Sequence, residues 1–215
     1  RGDAIVQLDW TVGQIIGVLE KNDLLRNTLI IFTSDNGPVV DDGYKDQAVE
    51  KLGSHKPAGP LRGGKYSAFE AGTRVPFIVS WKGNVETGKV SDALISQIDL
   101  YASLAALTGQ SIPPGDAPDS ENSLNTLLNK SDKSRAWVVE QSLNSTLSLI
   151  QGDWKYIDPS PGPKMNNETN TELGNADQPQ LYNLREDIGE TSNRANQFPG
   201  KVAEMKQLLN TIRNN

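Results

Sequence analysis

The run TLIIFT, residues 28 to 33, is short, β-branched and apolar, and it passes directly into SDNG. A stretch of that length without polar alternation suits a strand covered on both faces, as in a parallel α/β sheet. The residues before it read as a helix over 3 to 20. Ile5, Leu8, Val12, Ile15 and Leu19 recur at spacings of three and four, which stacks them on one face. Asp3 is the expected N-cap and KND at 21 to 23 the break. A helix feeding a buried strand defines the first half of the chain as α/β.

Residues 37 to 75 show little periodicity and contain seven glycines and three prolines. Loops of that length inside a compact domain are functional or mobile. PFIVSW, 76 to 81, resumes a strand, with Pro76 suited only to its first position. QIDLYASLAALTG then reads as a helix that places Ile98, Tyr101, Leu104 and Ala105 on one face and stops at Gly109. SIPPGDAPDSENS, 111 to 123, is a linker by composition.

Beyond it the pattern changes to short strands: AWVVEQ (136–141), LSLIQG (147–152), WKYID (154–158) and QLYNL (180–184), with a hairpin at Gly152-Asp153. The polar stretch between the last two is expected to be an exposed loop. A final amphipathic helix carries Val202, Met205, Leu208, Leu209 and Ile212 as one stripe. The expected domains are 1–130, the end of an α/β domain, and 131–215, a small antiparallel sheet closed by a helix.

Bulk properties exclude several functions. The net charge of −6 argues against a nucleic-acid binder, which needs a basic face, although a local pocket can still be basic. The absence of cysteine removes disulfides, thiolate metal sites and cysteine nucleophiles from this stretch. One histidine, His55, cannot make a multi-histidine zinc site. No apolar run approaches the roughly 20 residues that span a bilayer. The chain opens at Arg1 and not Met, which reads as a cut end.

Few residues can carry chemistry. Asp35 and Asn36 lie at the carboxyl end of the strand, where open α/β sheets place ligands, and two adjacent oxygen donors suit a hard cation. The same residues also make an ordinary Asx-turn, and both readings stand. Gly59, Gly64 and Lys65 match a phosphate-binding loop in spacing, but Tyr66 replaces its Ser or Thr, and Gly72 and Pro76 interrupt the helix it requires. What survives is a flexible backbone presenting Arg62 and Lys65 to an anionic group, or two solvated charges. His55 is an exposed loop residue or a proton donor near neutral pH. DDGYKD, with Asp41, Asp42 and Tyr44, is a solvated loop or the mouth of a pocket.

Four stretches in order resemble the second half of a type I sulfatase, of the arylsulfatase-like group in the alkaline phosphatase superfamily. VGQIIGVLEKNDLLRNTLIIFTSDNG is similar to its helix, strand and metal segment, and LRGGKYSAFEAGTRVPFIVSW to its lysine loop, written G-K-x-x-x-[YF]-E-G-G-x-R-x-P. SQIDLYASLAALTG resembles the D-L-x-P-T-x-x-x-L-A-G helix, and GDWKYI with LYNLREDIGETSN the closing sheet and its L-Y-D-L-x-x-D-P-x-E-x-x-N run. Glu70-Ala71-Gly72 stands where the pattern has Glu-Gly-Gly, and DIGE, with Ile188, where it has DPGE.

The resemblance implies that Asp35 and Asn36 are two of the Ca²⁺ ligands and that Lys65 contacts the substrate sulfate. It aligns His55 with a substrate-facing histidine of some carbohydrate sulfatases and leaves Arg62, Asp41, Asp42 and Tyr44 as substrate-binding candidates. The implied nucleophile is a formylglycine from a C/S-x-P/A-x-R motif near the family's N-terminus. The one lookalike here, SDKSR at 131 to 135, has Lys133 where Pro or Ala belongs. The remaining Ca²⁺ ligands are also expected outside this stretch, so the stretch alone is expected to be inactive. The expected parent hydrolyses sulfate esters on a small molecule or glycan and is periplasmic or secreted, with neither nucleic acid nor membrane as a partner.

Two alternatives remain at this level: a phosphodiesterase or phosphonate hydrolase of the same superfamily, or a non-catalytic binding or structural module. A sheet separated from neighbouring strands exposes an edge, so self-association is expected.

Overall fold

The computed structural model describes residues 2–214, which pack as two compact units, each built from two segments. The first comprises Arg1–Thr33 with Phe77–Arg135, the second Ser34–Pro76 with Ala136–Asn215. This division does not follow a single cut near residue 130, because 34–76, which contains the single helical turn α2 (Glu70–Thr73), packs with the later segment. Among the described residues no helix is long and apolar enough to cross a membrane.

In the first unit, α1 (Gly2–Lys21) ends near a 3₁₀ turn (Leu25–Asn27), and β1 (Ile30–Thr33) follows. Asp3 lies inside the first turn of α1, where it meets the positive end of the helix dipole, and does not cap it. The face marked by Ile5, Leu8 and Ile15 is exposed, and α1 buries no residue. β1 is half-buried and pairs with β2 (Phe77–Ser80) in an antiparallel ladder, Ile30 opposite Ser80 and Thr33 opposite Phe77. This corrects the parallel, fully covered strand expected from TLIIFT: the apolar run reports the residues' preference for burial and is silent about strand direction.

α3 (Asp99–Leu107) also turns the other way from its apolar stripe. Ile98, Tyr101 and Leu104 are exposed, whereas Asp99, Ala102 and Ser103 are buried. Polar anchoring decides this. The Asp99 carboxylate forms a buried ion pair with Arg135 and accepts from the Ser96 and Glu121 main-chain N–H groups (3.1 and 2.9 Å), and Ser103 Oγ accepts from Ser123 N–H (2.9 Å). The short helix α4 (Leu124–Leu127) packs beside α3.

The second unit is built on an antiparallel sheet, β3 (Val138–Gln141), β4 (Leu147–Gln151), β5 (Trp154–Ile157) and β8 (Gln180–Asn183), in that spatial order. Gly152, with φ +56°, supplies the tight connection between β4 and β5, pairing Gln151 with Trp154. Alternation along the strands gives the sheet two buried faces. Leu149, Tyr156 and Leu181 face α5 (Pro199–Arg213), where Met205 and Leu209 are fully buried and Val202, Leu208 and Ile212 complete the stripe. On the opposite face, Ile157 and Tyr182 pack against Ala68 and Phe69, which seats the glycine-rich loop on the sheet.

The polar stretch after β5 is only partly the exposed loop expected. It contains a small ladder, β6 (Met165–Asn166) with β7 (Thr171–Glu172), and buries Leu173. Leu173 accepts at its carbonyl from Ala68 N–H (2.9 Å), so this stretch buttresses the glycine-rich loop.

Candidate functional site

Immediately after β1 the chain makes a tight polar turn. Ser34 Oγ donates to the Asn36 carbonyl (2.9 Å), Asn36 N–H donates to Asp35 Oδ1 (3.0 Å), and Asn36 Nδ2 donates to the Gly37 carbonyl (2.9 Å). These bonds turn the chain without the side-chain bond to the N–H two residues on that defines an Asx-turn, and they leave Asp35 Oδ2 and Asn36 Oδ1 with no donor among the described residues. Asp35 is exposed and Asn36 half-buried.

Gly37 is fixed by its surroundings. Its N–H donates to the Gly72 carbonyl (2.9 Å), and a Cβ here would fall 1.5 Å from the Ala71 carbonyl oxygen. No other residue type fits without moving the backbone.

The lysine loop approaches from the other side. Lys65 N–H donates to the Pro38 carbonyl (2.9 Å), and a Cβ on Gly64 would meet that same oxygen at 2.7 Å. Lys65 has no ion-pair partner among the described residues, and its Nζ stands 5.2 Å from the Tyr66 ring centre. Tyr66 holds φ +81°, a left-handed conformation that costs a non-glycine residue about 1–3 kcal/mol.

These elements line an open pocket of about 420 Å³. Asp35, Asn36 and Lys65 line it, with Tyr66, Ser67, Gly72 and Thr73 between them. The far wall is the β3–β4 turn, through Gln141, Ser142 and Leu143. Leu143 N–H donates to the Tyr66 carbonyl (3.1 Å), tying that turn to the lysine loop. Two buried lining hydroxyls, Thr73 Oγ1 and Ser142 Oγ, have no hydrogen-bond partner among the described residues. Such groups are rare in settled cores and concentrate where function is served.

Behind the pocket lies a buried charge cluster. Lys155 Nζ, on β5 and fully buried, donates to Glu70 Oε1 (2.8 Å) and stands 3.1 Å from Glu140 Oε2 and 3.9 Å from Glu190 Oε1. Glu190 Oε2 accepts from the Glu70 main-chain N–H (2.6 Å), and Arg74 Nη1 reaches Glu70 Oε2 at 3.2 Å. Burial opposes the charge on Lys155, but Glu140, Glu70 and Glu190 outweigh it and raise the ammonium pKa. Burial likewise opposes the Glu70 carboxylate, and Lys155 and Arg74 hold its pKa below the ordinary value. Glu190 goes the other way. Burial pushes its carboxyl up to about 7 against the pull of Lys155, and its Oε1 takes no hydrogen bond.

Of the residues singled out in the sequence, Asp35, Asn36 and Lys65 come together. Arg62 does not join them. Its guanidinium forms a bidentate pair with Glu172 (2.5 and 2.8 Å), donates to the Glu190 carbonyl (2.6 Å) and lies 3.9 Å over the Phe69 ring. With those donors engaged, Arg62 braces the loop and does not present itself to an anion.

Asp41 and Asp42 cap local turns through Gly43 and Tyr44 N–H groups, Tyr44 is exposed, and none of the three lines the pocket. His55 is exposed and also outside the lining. Sequence reasoning missed Thr73 and the 141–143 turn. The signal available for the turn was a five-residue, mostly polar gap between two strands.

The donor chemistry at Asp35 and Asn36 fits a hard cation such as Ca²⁺, which takes six to eight oxygens. Two residues cannot complete such a shell, and among the described residues no group of three or more acidic, histidine or cysteine side chains could hold a metal.

A model of the sulfatase family matches residues 1–110, just over half of the sequence, and the chain belongs to that family.

It is 54% identical over 213 residues to an N-acetylgalactosamine-6-O-sulfatase of Bacteroides thetaiotaomicron, covering 99% of this chain and 42% of that protein. A solved sulfatase from the glycosaminoglycan metabolism of the same organism superposes with a TM-score of 0.97 at 53% identity, over 100% of this chain and 45% of that one. A sulfatase of Pseudoalteromonas sp. matches at a TM-score of 0.78 and 29% identity, over 99% of this chain and 42% of that one. The chain thus spans under half the length of these relatives, and its fold is that of the C-terminal part of an alkaline-phosphatase-like sulfatase.

Proposed function

We propose that the full-length protein carrying this chain hydrolyses sulfate esters on a carbohydrate, and that Asp35, Asn36 and Lys65 form part of its charge-stabilising clamp. One observation carries the reading: an Asp-Asn pair and a lysine without an ion-pair partner line one pocket. The carbohydrate preference is supported by the N-acetylgalactosamine-6-O-sulfatase relative.

In this reading the Lys65 ammonium meets a sulfate oxygen as a point charge, and its value grows as negative charge builds up during S–O cleavage. Asp35 and Asn36 would hold Ca²⁺ through their free oxygens, together with ligands from elsewhere in the protein. The bound ion would draw charge from the transferring group. Thr73 and the 141–143 turn face the alcohol portion. The sequence contains no C/S-x-P/A-x-R motif, so these residues supply clamp and walls, and the formylglycine nucleophile is contributed from outside this stretch.

The test is steady-state hydrolysis of an aryl sulfate and of galactosamine 6-sulfate by the full-length protein, with Lys65→Ala and Asp35→Ala variants. Loss of one transition-state donor lowers kcat by about 10²–10³. The Asp35 variant is also expected to lose Ca²⁺ binding in a calorimetric titration. A wild-type protein that cleaves aryl phosphodiesters in preference to sulfates would transfer the clamp to phosphoryl chemistry and sink the sulfatase reading.

A further inference from the structure

We infer that Glu190 and Lys155, buried in the sheet unit behind the pocket, are positioning residues for the candidate site. They hold the Glu70–Gly72 turn at the height that seats both the Asp35–Asn36 turn and Lys65. The inference rests on the sulfatase reading for its catalytic consequence, and on geometry alone for the positioning itself.

The connection can be followed bond by bond. Glu190 Oε2 accepts the Glu70 main-chain N–H at 2.6 Å, while Lys155 Nζ grips the Glu70 carboxylate at 2.8 Å. Glu70 is therefore held at its backbone by Glu190, in the connection between β8 and α5, and at its side chain by Lys155 on β5. The next residues carry the site. Ala71 N–H donates to the Arg62 carbonyl (2.9 Å), and Gly72 O receives the Gly37 N–H (2.9 Å). Gly37 lies so close that a Cβ would overlap the Ala71 carbonyl, and Pro38, next along, receives the Lys65 N–H at 2.9 Å. A shift of Glu70 by a few tenths of an ångström would pass directly to both clamp segments, because close-packed backbone cannot absorb it.

The chemistry favours positioning over bulk stability. A lysine buried with three carboxylates carries a large desolvation penalty, and an apolar cluster of equal volume commonly stabilises a core as well or better. Charged, directional bonds do what apolar packing cannot: they fix a backbone to a defined height and orientation. Glu190 also holds φ +51°, a strained backbone for glutamate, and its carbonyl accepts from Arg62 at 2.6 Å, so the anchor is itself locked.

The test uses the full-length protein with Glu190→Ala, which removes the acceptor, and Glu190→Gln, which keeps an oxygen at the same place. Amide hydrogen exchange is read at 34–38 and 64–67 and compared with β4 and β5. Glu190→Ala is expected to speed exchange at the two clamp segments at least tenfold while β4 and β5 keep their protection, and Glu190→Gln to restore the wild-type pattern. In parallel, kcat on an aryl sulfate is expected to fall about tenfold in Glu190→Ala and to recover in Glu190→Gln, with KM nearly unchanged.

Unchanged protection at 34–38 and 64–67, or exchange raised equally everywhere, would overturn the proposal and leave the cluster a stability element. A wild-type protein inactive on sulfate esters would defeat the function proposed above, while the exchange pattern still decided the positioning. Should Glu190→Ala fail to fold, the double variant Lys155→Met with Glu70→Gln removes the central ion pair and is read in the same way.

Discussion

Glu190 faces Lys155, Glu140 and Glu70 inside the protein, and its raised pKa sets the sign of one pH effect. The carboxyl titrates near 7 when folded and near its ordinary 4.5 when unfolded. Between those values the folded state holds the extra proton, so this group's contribution to stability is complete below about pH 4.5 and is lost as pH rises through about 7. Glu70 acts in the opposite sense: its lowered pKa contributes stability above the ordinary value and loses it on acidification. A Glu190→Gln variant imitates the protonated form. Relative to wild type it should gain about 2–3 kcal/mol between pH 5 and pH 8, at about 1.4 kcal/mol per pKa unit. Urea denaturation at pH 5, 6, 7 and 8 measures this. A difference that stays constant with pH would mean that Glu190 ionises normally despite its burial.

At the scale of elements, the β3–β4 turn is the part of the pocket whose chemistry is free to vary, since Gln141 and Leu143 are exposed and serve no core. A carbohydrate alcohol presents hydroxyls and C–H faces, which an amide and an exposed leucine can meet; a flat aryl group needs neither. If the full-length protein has the proposed activity, replacing Gln141 and Leu143 together by alanine in it should therefore raise KM for galactosamine 6-sulfate about tenfold and leave hydrolysis of an aryl sulfate nearly untouched. Equal losses on both substrates would make the turn a support for Lys65 through its bond to Tyr66, and not a reader of the sugar.

This turn also shows where sequence reading stops. The strands flanking it were legible as short strand-forming runs, the final helix from its apolar stripe, and the tight β4–β5 connection from Gly152-Asp153. Asp35, Asn36 and Lys65 were legible because their residue types and neighbours carry a local signature. Thr73 and the 141–143 turn carry none, and they reach the pocket only through long-range packing. Arg62 illustrates the converse. Its cationic character was evident, but its partner Glu172 lies 110 residues away in a stretch read as an open loop. The buried face of α3 was missed for a related reason, since hydropathy scores Asp99 as polar and cannot anticipate Arg135.

At the scale of the whole molecule, the two units differ in how far they satisfy themselves. The sheet unit covers both faces of its sheet, with α5 on one side and the glycine-rich loop on the other. The other unit leaves much apolar surface in solvent: α1 buries none of its residues, Ile5, Val6, Leu8, Trp10, Ile15 and Val18 are all exposed, and β1 has only β2 as a strand partner among the described residues. Each fully exposed large aliphatic side chain forgoes about 1.5–3 kcal/mol of burial, and contiguous apolar patches of this kind drive association. The relatives that match this chain are more than twice its length. The 215-residue chain on its own should therefore self-associate through the α1 and β1 surface, whereas the full-length protein should not use that surface. Multi-angle light scattering across micromolar concentrations reads this directly, with the paired change Ile5→Glu and Ile15→Glu expected to shift the isolated chain toward the monomer mass of 23.4 kDa. A monodisperse monomer of the unmodified chain would show that this apolar face is tolerated in water, and the association argument would fail with it.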